Sequence, residues 1–124
     1  MRLPGEFQMR WLEMARRLKA MTPATFYHDN KYDPIRDELA QLAWKVVPAD
    51  FALIQRVAKL APPLVPTPEW AADVSPEEVL CMLLTVIANE RWVDGCAAEP
   101  HRNGFLSYAL ECVAAADGAF ELRQ

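Results

Sequence analysis

Residues 79–88 read VLCMLLTVIA, and the fold turns on what surrounds this run. Only Thr85 is polar, so the apolar residues occupy almost every direction around a helix, which a helix tolerates only when other segments sheathe it. Ser75-Pro76-Glu77-Glu78 lead into it. Ser75 can accept from the amide three residues on, Glu78 can reach back to Ser75, and Pro76 occupies a position whose N–H has no helical partner. The spacing therefore predicts a central helix from 76 to about 93.

The run ends in NERWVDG, residues 89–95. Glu90 and Asp94 lie four apart on one helical face, and Arg91 stands three before Asp94, within pairing reach. Trp92 extends the packed surface near Thr85 and Ala88, and Gly95 permits a left-handed cap or a close helix contact. An Asp close to a helix C-terminus opposes the macrodipole, so Asp94 requires compensation from Arg91 or from a following helix.

Helical periodicity continues on both sides of this element. Phe7, Trp11, Met14, Leu18 and Met21 recur at helical spacing and mark a helix over about 6–21. Glu6–Arg10 and Glu13–Arg17 are four-apart pairs in the favourable order, worth about 0.2–0.5 kcal/mol each. Thr22-Pro23 ends that helix, because the residue before proline avoids helical geometry. The next element, about 34–46, starts at an Asp33 cap with Pro34 in its first turn and carries Ile35, Leu39, Leu42 and Val46 as its apolar stripe. Phe51, Ile54, Val57, Ala58 and Ala61 share a face of a further helix, stopped by Pro62-Pro63. Residues 62–75, PPLVPTPEWAADVS, form a proline-rich crossover with a partly polyproline path. Asn103-Gly104 marks a break, after which Phe105, Leu106, Ala109, Leu110 and Val113 face inward on a last helix, with Gly118 as its C-cap candidate. No long β-alternating stretch and no internal repeat is present. The expected architecture is one domain, residues 1–124, in an all-α class: an irregular or orthogonal bundle of about five helices.

Composition narrows the function classes. The 124 residues are 52% hydrophobic and 24% charged, with a formal net charge of -4. That balance argues against general nucleic-acid binding, which draws on a basic face, and permits attraction to a basic protein partner. Arg10, Arg16, Arg17 and Lys19 make the first helix locally basic, and a solvated face explains them. Three cysteines, Cys81, Cys96 and Cys112, lack CxxC spacing and make a poor disulfide framework, which points to a reducing, cytoplasmic compartment. The N-terminal charges do not fit a signal peptide. No run approaches the roughly 18 apolar residues of a membrane span.

The segment LCMLLTVIANERWVDGCAAEPHRNGFLSYAL resembles the C-terminal part of a family of small bacterial proteins known only as a domain of unknown function. The shared pattern, L-x-x-L-L-T followed by R-[FW]-x-[DE]-G and a second glycine, falls on Leu80, Leu83, Leu84, Thr85, Arg91, Trp92, Asp94, Gly95 and Gly104. The similarity covers about residues 51–115. Pro100 departs from it, and the N-terminal half matches little. It implies a bacterial, phage or mobile-element origin and a structural corner made of Arg91, Trp92, Asp94, Gly95 and Gly104. It implies no activity.

Candidate chemistry is sparse. Glu90, Asp94 and Glu99, with His101, could hold a divalent metal or do acid–base work around the turn at 95, as in a small metal-dependent hydrolase. Such sites need about four carboxylates from two helices, and Glu77 and Glu78 stand at the opposite end of the same helix. An ion-paired helix terminus is the stronger reading. Cys96, His101 and His28 match no zinc spacing, and exposed loop residues account for them. A Cys112–His101 thiol–imidazole pair lacks a legible orienting group.

The loop FYHDNKYDP, residues 26–34, combines flat amphipathic rings with hydrogen-bonding groups in Tyr27, His28, Asp29, Asn30 and Tyr32. That is binding-surface chemistry. The competing account is a connector whose rings pack on the core while Asp29 and Asn30 turn the chain. The leading expectation is a non-enzymatic, cofactor-free protein-binding or regulatory module of bacterial or phage origin, such as an inhibitor of a host nucleic-acid-handling or defence complex. The metal-dependent hydrolase and a homodimeric module using the amphipathic first helix are the alternatives.

Overall fold

Ser75 and Glu78 open the apolar rod as their spacing predicts. In the computed structural model, the Glu78 N–H donates to Ser75 Oγ at 3.2 Å and the Ser75 N–H to Glu78 Oε1 at 3.4 Å. The structure describes residues 4–48, 67, 69, 72–89, 95–116 and 120–122. Among these, six helices run in chain order: α1 (Gly5–Ala20), α2 (Pro23–Phe26), α3 (Ile35–Ala43), α4 (Pro76–Asn89), α5 (Ala98–Arg102) and α6 (Phe105–Ala115). The expected helix over 50–61, most of the proline-rich crossover and the Gly118 cap lie outside the described residues.

Val79, Leu80, Cys81, Met82, Leu83 and Leu84 of α4 are all buried. Six consecutive residues cover more than one turn of about 3.6, so the rod is enclosed on every side there. Its one polar side chain is satisfied within the helix, since Thr85 Oγ1 donates to the Cys81 carbonyl at 2.8 Å. The centre is shared. α6 buries Phe105, Leu106, Ala109, Leu110 and Val113, and packs against both α4 and α1. α1 contributes Trp11, Met14, Ala15 and Leu18 to the same core. Gln8 Nε2 donates to the Ala114 carbonyl and Lys19 pairs with Glu111, so polar contacts hold both ends of α1 to α6.

The chain is mostly helical, and the all-α expectation needs correcting in two places. β1 (Tyr27–His28) pairs antiparallel with β2 (Lys31–Tyr32), in register Tyr27 with Tyr32. β3 (Val46–Pro48) pairs antiparallel with β4 (Phe120–Leu122), in register Val46 with Leu122. The expected helix over 34–46 therefore stops at Ala43, and Val46 enters a ladder. Two β-branched residues before Pro48 explain the switch, because they fit a pleated surface and proline disfavours helix in the residue preceding it. At the other end of α3, Asp33 performs its expected capping, with Oδ1 accepting from the Ile35 N–H at 3.0 Å.

Candidate functional site

Asp29 and Asn30 are the only non-glycine residues with positive φ among the described residues, at +51° and +61°. Left-handed geometry at both central positions is what a two-residue type I′ hairpin demands, and Asp and Asn tolerate it. The loop expected at 26–34 is thus mostly a tight hairpin, which follows directly on a short helix, α2. Thr22 caps α2, its Oγ1 accepting from the Thr25 N–H at 3.3 Å.

The two tyrosines brace this hairpin against the turn that follows α4. Tyr27 lies over Gly95 so closely that a Cβ there would stand 2.9 Å from the phenol oxygen. Tyr32 Oη accepts from the Ala97 N–H at 3.1 Å. The two rings lie 4.6 Å apart between centroids, tilted by 46°, and Phe26 continues the series, edge-on to Tyr32 at 5.4 Å and stacked on the His101 imidazole at 4.2 Å. The Arg36 guanidinium sits 5.4 Å from the Tyr32 centroid. Tyr27 and Tyr32 are half-buried, whereas His28, Asp29, Asn30 and Lys31 are exposed. Of the five residues expected to bind, the tyrosines serve as braces and the other three make the tip.

His101 differs most from its expected place. It is a buried residue of α5 and not an exposed loop residue. Its Nε2 lies 3.0 Å from the Leu18 carbonyl, one of the last carbonyls of α1, which also accepts from the Met21 N–H at 3.3 Å. Burial pushes the imidazole pKa down, and the bond to Leu18 offsets this only in part. His101 therefore acts as a neutral side-chain cap for α1. Pro100 precedes it in the first turn of α5, where a missing N–H costs nothing.

The other candidate groups that fall among the described residues are not gathered. Glu90, Arg91, Trp92 and Asp94 lie outside the described residues. Glu99 is exposed and pairs with Arg102. Cys96 Sγ donates to the Val86 carbonyl at 3.3 Å, while His28 stands at the hairpin tip beside Asp29, 3.2 Å away. Cys112 engages Tyr108 and not His101, and burial raises both their pKa values. Among the described residues, no group of three or more His, Cys, Asp or Glu side chains could hold a metal ion. No helix there is long and apolar enough to cross a membrane. Gly95 and Gly104 of the expected corner both have positive φ, at +82° and +88°.

An open cleft of about 390 Å³ is lined by Pro23 and Ala24 of α2, Tyr27 of the hairpin, Gly95, and Ala98, Glu99 and Arg102 of α5. The hairpin and this cleft form one continuous feature, a polar projection beside a shallow recess. The sequence contained the signal for the turn, since Asp-Asn stood between two tyrosines. It held no local signal for the contacts of Tyr32 with Ala97 or of His101 with Leu18. Compared with protein-family models, curated proteins and solved structures, the chain matches none.

Proposed function

We propose that this chain is a non-enzymatic protein-binding module, acting through the 27–32 hairpin and the cleft beside it. The observation that supports the reading is the bracing. Both tyrosines are tied to the 95–97 turn, so the exposed tip is held in one shape before any partner arrives. A pre-organised projection loses less conformational entropy on binding than a free loop does. The excess of acidic over basic residues, 17 against 13, favours a basic partner surface and a salt-sensitive association rate. A bacterial or phage cytoplasm is the setting we infer, with a nucleic-acid-handling or defence complex as the class of partner.

The test leaves the braces alone and alters the tip. His28→Ala combined with Asp29→Asn keeps a residue that tolerates left-handed geometry at the turn. The reading expects this variant to melt like the wild type yet to lose partners that the wild type captures from a bacterial lysate. Equal capture by both would sink it. The hydrolase alternative has its own assay: a Mn²⁺- or Mg²⁺-induced rise in melting temperature, abolished by Glu90→Ala and Asp94→Ala, would replace the binding reading.

A further inference from the structure

A second surface, away from the hairpin, carries an inference of its own. α1 and α3 border an open groove of about 580 Å³, lined on the α1 side by Glu6, Met9, Arg10, Glu13, Met14 and Arg17. Met9 is 71% exposed, the most exposed large apolar side chain among the described residues. Leu42 of α3 contributes to the groove wall. Sequence phase alone would have put Leu42 wholly in the core; the structure leaves it half-exposed at this groove.

The order of residues along this face is self-complementary. Charges alternate as Glu6, Arg10, Glu13, Arg17. If a second copy of α1 runs antiparallel across the groove face, related by a two-fold axis at the height midway between residues 11 and 12, then Glu6 comes level with the partner's Arg17 and Arg10 with the partner's Glu13. Met9 then comes level with the partner's Met14, which lines the groove but is itself almost wholly buried. Each α1 residue lining the groove is matched to another that lines it, and each charge to its opposite. An isologous interface has this property, because the same patch must complement itself. A parallel arrangement would instead set each charge against its like, which is unfavourable.

We propose that this chain self-associates as an antiparallel two-fold dimer through α1, with Met9 of each copy seated in the groove of the other. Glu6, Arg10 and Glu13 are exposed in the single copy, and Arg17 is half-buried. Glu6 is paired with Arg10 and Arg17 with Glu38, at 3.2 and 2.8 Å. Exposed pairs of this kind contribute little and can be shared with a partner. The helix of 16 residues is about 24 Å long, so the interface belongs to the small class and the association is weak. No residue of the 27–32 hairpin lines this groove.

Sedimentation velocity over about 1–500 µM chain brackets a weak dimer. The wild type is expected to shift from monomer to dimer across that range. Glu6→Arg sets Arg against the partner's Arg17, and Arg17→Glu sets Glu against the partner's Glu6. Each variant alone is expected to weaken the dimer at least about tenfold. An equimolar mixture of the two restores both opposite-charge contacts and is expected to dimerise like the wild type. Thermal melts of each variant confirm that the fold is retained, and Met9→Lys is a third variant expected to stay monomeric. A wild type that is monomeric throughout leaves the groove to some other occupant and overturns the proposal. So does a dimer that survives both charge reversals, or a mixture that fails to recover.

Discussion

Gly95 and Gly104 separate two reasons for a glycine. Both have left-handed φ, but a Cβ at Gly104 would meet nothing within 4 Å, whereas one at Gly95 would press on the Tyr27 ring. Gly104→Ala should therefore cost only backbone strain, about 1 kcal/mol, and Gly95→Ala more, about 2–3 kcal/mol. Urea unfolding of both variants tests the difference, and adding Tyr27→Ala should relieve part of the cost at 95 only. His101 gives a prediction in pH. Its folded pKa is depressed by burial below the ordinary value of 6.5, so the unfolded chain binds the extra proton first as pH falls. Stability from this group is complete above about pH 7 and declines as pH drops through 6.5 toward the folded value. His101→Gln keeps a donor for the Leu18 carbonyl but removes the titration, so its unfolding midpoint should change less between pH 7.5 and 5. An unchanged pH slope would contradict the neutral-cap role.

The elements differ in how much of their geometry is local. α4 begins with a reciprocal cap, and Ser75→Ala should lower stability by about 1 kcal/mol, read as a shift in the thermal midpoint. The hairpin depends on two left-handed residues. Asn30→Val puts a β-branched side chain at φ +61° and removes the acceptor of the Tyr27 hydroxyl bond. It should cost about 1–2 kcal/mol, with the loss seen as faster amide exchange at residues 27–32. The first was legible as Ser-Pro-Glu-Glu; of the second only the turn at Asp29-Asn30 was, as the competing account of that loop, and the strand pairing around it was not. α1 was legible in its core stripe but not in all its ion pairs. Glu6 pairs with Arg10 as the spacing predicts. Glu13 instead takes Arg16, and Arg17 turns to Glu38 on α3. Packing against α3 brings a second carboxylate within reach of Arg17, and Arg16 then stands nearest to Glu13.

For the whole molecule, the decisive quantity is the burial of the rod. Leu80 and Leu83 are fully buried, and truncating either to Ala should cost about 2–5 kcal/mol, enough to remove much of a small domain's stability. The enclosure of α4 followed from the sequence by itself, because an apolar run with no polar face has nowhere stable to lie but inside. Its cap, the core stripe of α1 and the turns at 29–30 and 103–104 followed too, since each depends on residues within a few positions of one another. Only the tertiary structure decided that Val46 pairs with Leu122, that His101 reaches Leu18, that Tyr27 closes over Gly95, and that Glu6, Met9 and Arg17 border one groove with α3. Those contacts join segments far apart in the chain, or set neighbouring helices at a particular angle. Periodicity and capping specify which face of an element is apolar, but which other element covers that face is chosen by packing among all of them at once.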